Sequence, residues 1–225
     1  MKIICLHLVE NPERLSYIIP EHERMNLEKD LYVSSFTKLP INNIIGDRLT
    51  ELKTNHYEWV RINKDKNVYG YVFSCMYNWI ILISQALNSD EESVLFIEDD
   101  IKYNCDKKTF QYYIDNIPKD CDISLFNVEF STGWENNGFN QWREQSKNNK
   151  FIKCEPNFKL IRTCGMWMNK KGMRYWLDYV QNKICAADLP FIDMCNDIQK
   201  KHDVNIYIPN IQLISHSADF ESNIQ

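Results

Sequence analysis

Val94-Leu95-Phe96-Ile97-Glu98-Asp99-Asp100 is the stretch on which the fold turns. Four apolar residues in a row, without polar alternation, read as a short strand buried on both faces. The strand runs directly into three adjacent carboxylates. Like charges this close raise one another's pKa and cost stability unless something neutralises them. A divalent cation does so, and oxygen ligands suit Mn²⁺ or Mg²⁺. If the extended geometry continues through the triplet, Glu98 and Asp100 point to one side and Asp99 to the other. An acid-x-acid pair at a strand's carboxyl end lies where α/β sheets place their ligands. The alternative is a solvated acidic turn closing the strand.

Working outward, the chain alternates strands and helices. Ile3 to Leu8 reads as a buried first strand, and Asn11-Pro12 as the cap and first turn of a helix that stops or kinks at Pro20. Leu31 to Phe36 is a second strand, and Ile41 to Leu49 a loop around Gly46. Gly70 to Leu87 places Val72, Cys75, Met76, Trp79, Ile80, Ile83 and Leu87 on one helical face, which Phe73, Ile81 and Leu82 widen. Asp106 to Ile117 is a helix ended by Pro118, and Ile123 to Val128 a strand. Ser131 to Lys150 has no clear period and reads as a long loop carrying Trp134, Phe139 and Trp142. Strand-like segments fill Phe151 to Met168. A helix over Lys170 to Val180, a short helix near Phe191 to Lys200 and a strand at Val204 to Ile208 follow. This order predicts an α/β fold, a mostly parallel central sheet flanked by helices.

The 225 residues suit one large domain with a sizeable core, and no repeat or low-complexity linker divides them. A net charge of -5 argues against nucleic acid or an anionic membrane as the main partner. It leaves a phosphate ligand open, because one bound metal reverses the field locally. None of the eight cysteines stands in a C-x-x-C pair, which argues against a structural zinc. Neither a signal peptide nor a transmembrane segment is read, so a cytoplasmic setting with free thiols is expected. G-x-S-x-G, G-x-G-x-x-G and the P-loop pattern are all absent.

The helix opening Gly70-Tyr71-Val72-Phe73-Ser74, followed by Val94 to Asp100, resembles the core of glycosyltransferase family 25, the lipooligosaccharide and collagen-type sugar transferases. The likeness extends through "ICLHLVENPER", with Arg14 at the family's arginine, and through "IIGD" around Gly46. It continues in "TCGMWMNKKGMRYWL", with Gly165 at the first glycine, and in the closing "YIPNIQLISHSADFESNI". Two departures stand out. Cys75 replaces the helix histidine after Ser74, and the first glycine of that motif is missing before Gly70.

That resemblance implies a GT-A-like nucleotide-sugar transferase fold in a single domain, with residues 1–100 as the nucleotide-sugar half and 101–225 as the acceptor half. It implies a UDP-sugar donor carrying galactose or glucose, a glycan or protein hydroxyl as acceptor, and inversion at the anomeric carbon. It makes His216 the third metal ligand beside Asp100 and Glu98 (with Asp99 an alternative), and places Arg14, Glu98, Asp99 and Gly165 around the nucleotide. Asp188 and Asp193, flanking Leu189-Pro190-Phe191-Ile192, are the candidates for the base that takes the acceptor's proton. Each has a plainer alternative: a tail histidine, a surface arginine, a cap before Pro190, a surface charge in the short helix. Trp134, Phe139 and Trp142 either stack on sugars or anchor their own loop. Two competing functions remain, a GT-A-like domain that binds without turnover and a metal-dependent phosphoesterase.

Overall fold

The computed structural model describes residues 1–37, 66–130, 138–155, 158, 160, 164–182 and 203–217. Nine strands are named along the chain: β1 (Lys2–Leu8), β2 (Leu31–Phe36), β3 (Ser93–Glu98), β4 (Ile101–Tyr103), β5 (Ile123–Leu125), β6 (Phe151–Lys153), β7 (Gly165–Asn169), β8 (Ile206–Pro209) and β9 (Ile214–His216). The described helices are α1 (Pro12–Arg24), α2 (Lys66–Leu87), α3 (Lys107–Asp115), α4 (Phe139–Gln145) and α5 (Lys170–Asn182).

Seven strands form one sheet in the order β2-β1-β3-β7-β5-β8-β6. β2, β1 and β3 pair in parallel, β7 runs antiparallel between β3 and β5, β8 is parallel to β5, and β6 is antiparallel to β8. β2, β1, β3, β5 and β8 therefore share one direction, and only β7 and β6 oppose it. The fold is the expected α/β class with a mostly parallel central sheet.

Both faces of the sheet are covered, which is why β1 and β3 run apolar without alternation through Ile3–Leu6 and Val94–Ile97. In β1 and β3, Ile4, Leu6, Val94 and Phe96 face α2 and α5, packing with Trp79, Ile83, Met173 and Trp176. Ile3, Cys5, Leu95 and Ile97 face the other way, with Ile18 of α1 and Phe110 of α3. The six described cysteines are all free thiols.

Several expectations need correction. α1 does not stop at Pro20 but runs to Arg24. The missing N–H is offset by tertiary contacts in the last turn: Glu21 accepts from the Tyr103 backbone N–H at 2.9 Å, and Arg24, paired with Glu21 along the helix, donates to the Tyr103 carbonyl. Within the stretch read as a loop, residues 139–145 are helical, and Trp142 Nε1–H donates to the Pro209 carbonyl at 3.0 Å. Too short to show a period, that helix exists because Trp142 packs onto the sheet edge and against Phe130. α2 begins earlier than Gly70, and Ile81 is exposed rather than part of the buried face. β5 ends at Leu125, the segment read as strand-like over 151–168 holds β6 and β7, and the strand read over Val204 to Ile208 is Ile206–Pro209, with β9 following it. The loop around Gly46 and the short helix near 191–200 lie outside the described residues.

His22 of α1 gives a pH prediction. It is fully buried, its Nδ1–H donates to the Ile18 carbonyl at 2.9 Å, and the Tyr103 hydroxyl meets Nε2 at 3.0 Å. Burial lowers its pKa by more than the Ile18 carbonyl and Glu21 raise it. Only the unfolded chain then takes up a proton as pH falls below about 6.5. Stability from neutral His22 is present above that pH and lost below it, until the lowered folded value is passed. Relative to His22→Gln, the wild-type melting curve is expected to fall faster between pH 6.5 and 5, by at most about 1.4 kcal/mol per pH unit. Parallel acid limbs would refute a neutral, buried His22.

Candidate metal centre at the carboxyl end of the sheet

β3 delivers Glu98 to its carboxyl end, and the chain turns at Asp99 and Asp100 before β4. β4 pairs antiparallel with β9, setting Ile101 opposite His216, and the Ser217 N–H donates to the Asp100 carbonyl at 2.7 Å. A residue 116 positions away along the chain is thereby fixed beside the acidic triplet. His216 Nδ1 stands 3.1 Å from Asp100 Oδ1, and Nε2 stands 3.8 Å from Glu98 Oε2. One ligand atom from each of Glu98, Asp100 and His216 lies within 4.8 Å of the others.

Asp99 turns the other way. Its Oδ2 sits 2.7 Å from His7 Nδ1 and accepts from the Leu8 N–H at 3.3 Å. Arg14 Nη1 bridges the two sides, 3.2 Å from Asp99 Oδ1 and 3.0 Å from Asp100 Oδ2. His7, Arg14, Asp99 and Asp100 are all buried. The expected split of the triplet holds even though the strand itself ends at Glu98, so Asp99 is the anchor of the turn rather than a member of the ligand cluster.

The charges follow from this geometry. Burial alone would depress the His216 pKa. The bonds to Asp100 and Cys164 and the charge of Glu98 outweigh it and push the imidazole up to about 11. Burial also raises Asp100, but His216 and Arg14 bring it below the ordinary carboxylate value. For Asp99 burial wins over His7 and Arg14, and its pKa is raised. Without a bound ion, then, His216 is an imidazolium beside two carboxylates. Two carboxylate oxygens and an imidazole nitrogen converging at a strand end make a donor set that fits Mn²⁺ or Mg²⁺, and an ion taking those atoms must displace the imidazole proton.

Arg14 is buried against two carboxylates of the triplet. Arg14→Lys keeps the charge but shortens the reach, and is expected to lower stability in urea by about 1.5 kcal/mol without added metal. An unchanged midpoint would show that a point charge serves there as well as the planar guanidinium. Gly165 lies opposite Ile97, and a Cβ there would stand 3.0 Å from Ile214 Cδ1 and 3.4 Å from Phe126 Cβ. Its bareness lets β9 and Phe126 close over β7. Asp188, Asp193 and Trp134 lie outside the described residues. Cys75 is half-buried and packs against the core on the α2 side.

Sequence reasoning missed His7. Its signal is register: Leu6 pairs with Glu98 in parallel strands, so the next residues, His7 and Asp99, arrive at the same level. It also missed Cys164, buried beside His216, whose thiol burial pushes up to about 11.

No family model matches the chain, and no curated protein does. Among solved structures it is similar to the galactosyltransferase LgtC in complex with donor and acceptor sugar analogues, at 9% identity and a TM-score of 0.50 over 97% of this chain and 87% of that one. Weaker likenesses are to mouse xyloside xylosyltransferase 1 in its apo form (12% identity, TM-score 0.43, 92% and 84% covered) and to a glycosyltransferase involved in glycosylation of the major capsid of PBCV-1 (9% identity, TM-score 0.46, 98% and 95% covered). The fold is the GT-A-like fold of nucleotide-sugar transferases.

Proposed function

We propose that this chain is a glycosyltransferase that moves a sugar from a UDP-sugar to a hydroxyl acceptor on a glycan or protein, with Mn²⁺ or Mg²⁺ at Glu98, Asp100 and His216. One observation carries the reading: three convergent ligand atoms at the carboxyl end of a central strand in a GT-A-like fold. The family-25 resemblance supplies the donor, with galactose or glucose as its sugar, and a single domain divided into donor and acceptor halves near residue 100. A cytoplasmic setting belongs to the same proposal; among the described residues no helix is long and apolar enough to cross a membrane.

A bound divalent ion supplies Lewis-acid stabilisation of the diphosphate leaving group. The chain's own residues do the rest. Glu98 and Asp100 bring negative charge to the ion's place, and His216 enters as neutral imidazole after giving up its proton. His7 and Arg14 hold Asp99, which fixes the turn from which Asp100 projects. Asp188 or Asp193 takes the proton of the attacking acceptor hydroxyl. Under the resemblance the product is inverted, an outcome legible in its anomeric proton coupling.

The test is a titration of UDP into the purified protein with Mn²⁺, and again with a chelator. Binding only with the ion supports the donor site, and release of UDP from a UDP-sugar then establishes turnover. Absence of UDP binding in both conditions would remove the transferase reading. The Ser74-Cys75 departure favours a second reading, a domain that binds nucleotide without turnover. Metal-dependent UDP binding with intact UDP-galactose and UDP-glucose after prolonged incubation would select it.

A further inference from the structure

Among the described residues, the buried polar atoms lacking a partner are Trp79 Nε1, Ser124 Oγ, Trp176 Nε1, Asn11 Nδ2 and Asn127 Nδ2. Two follow the carboxyl ends of parallel strands: Asn11, half-buried before α1, and Asn127, fully buried at 1% exposure. A buried donor left unmade is costly, so a native structure keeps one where something completes it.

The sheet fixes where Asn127 stands. The Phe126 N–H donates to the Gly165 carbonyl at 2.8 Å, and Gly165 pairs with Ile97, the residue before Glu98. Asn127, just past β5, and Glu98, the last residue of β3, therefore stand at the same level on either side of β7, separated by two strand spacings, roughly 10 Å. That separation is within the length of a nucleoside-diphosphate sugar or a disaccharide. Gln212 Nε2–H donates to Asn127 Oδ1 at 2.6 Å, which orients the amide and leaves one polar atom of Asn127 unused.

We infer that Asn127, oriented by Gln212, holds a neutral sugar hydroxyl beside the metal cluster. A hydroxyl both donates and accepts, so it satisfies the unused atom of the amide in either orientation. An anion would call for a cation here, and the side chain that bonds the amide is the neutral Gln212. This reading deepens the proposed transferase function and rests on it for the identity of the metal-bound ligand. The hydroxyl belongs either to the donor's sugar or to a sugar acceptor.

Asn127→Leu and Asn127→Asp separate the two sources. In one arm, affinities for UDP, UDP-galactose and UDP-glucose are measured with Mn²⁺. In the other, saturation-transfer NMR reads binding of methyl galactoside, methyl glucoside and lactose. A donor hydroxyl is expected to show as an about tenfold loss in Asn127→Leu of the preference for UDP-sugar over UDP. An acceptor hydroxyl shows as a vanished glycoside signal with that preference intact. Asn127→Asp, which keeps an oxygen for the hydroxyl, retains part of either effect, whereas a merely structural role lowers the melting temperature and weakens every ligand in proportion. If wild type binds no UDP, the transferase reading fails and the glycoside arm decides alone. A glycoside signal present in wild type and abolished by Asn127→Leu then upholds the hydroxyl site. A signal that survives the substitution, or is absent from wild type, overturns it. With UDP bound, an unchanged preference together with an unchanged glycoside signal overturns it as well.

Discussion

Asp100→Asn is expected to weaken Mn²⁺-dependent UDP binding by about a hundredfold or more, the upper range seen when even an outer partner of a metal ligand is removed. The substitution keeps the side chain's shape and leaves an amide oxygen toward His216, but removes one of the cluster's two carboxylate charges. Three consequences share that cause. The divalent ion loses an anionic ligand, His216 loses the carboxylate that most favours its charged form, and Arg14 is left with Asp99. Calorimetric titration of UDP at saturating Mn²⁺ reads the first directly. Near wild-type affinity in the variant would sink the metal centre as described. A melting temperature measured in chelator guards against a folding defect, because the apo variant keeps hydrogen-bonding groups at all three positions.

Gly172→Ala carries the second large effect, and it touches stability alone. Gly172 sits in the first turn of α5, where its N–H donates to Asn169 Oδ1 at 2.8 Å. A Cβ added there would stand 2.1 Å from the Asp122 carbonyl oxygen and 2.9 Å from its carbon. Both are backbone atoms at the entry to β5, so no rotamer change relieves the overlap. The helix must lift from the sheet, loosening Met173 and Trp176, which are fully buried against it. The expected cost is about 3 kcal/mol, a melting temperature lower by roughly 6–12 °C for a chain of this size. Gly165→Ala is the informative contrast. Its added Cβ would stand 3.0 Å from Ile214 Cδ1, a side-chain end rather than backbone, and 3.4 Å from the Cβ atoms of Ile214 and Phe126, so the overlap is milder and the expected loss is about 1 kcal/mol. Equal melting temperatures for the two variants would contradict this account of α5 docking.

Physical locality separates what was legible in the sequence from what was not. Val94 to Ile97 could be read as a buried strand because burial on both faces demands apolar residues at every position. The split of Glu98 and Asp100 from Asp99 followed from the two-residue period of an extended chain. Trp79, Met173 and Trp176 declared their helices by spacing alone. Pro20 misled because the last turn of α1 is held by Tyr103, whose N–H donates to Glu21 and whose carbonyl accepts from Arg24, contacts that no local window contains. Residues 139–145 were opaque for the same reason: a two-turn helix has no period to display, and Trp142 finds its partner in Pro209.

The acidic strand end, the chemistry of an ion suited to it and the alternation that makes an α/β sheet are all written in local stretches of the chain. Which residues complete the site is set by long-range pairing. The pairing of β4 with β9 brings His216 to Asp100, the parallel register of β1 and β3 sets His7 against Asp99, and the insertion of β7 between β3 and β5 sets Asn127 across β7 from Glu98. Strand order and register are long-range choices, fixed by how whole apolar faces pack together. A side chain's own neighbours in sequence carry no record of them.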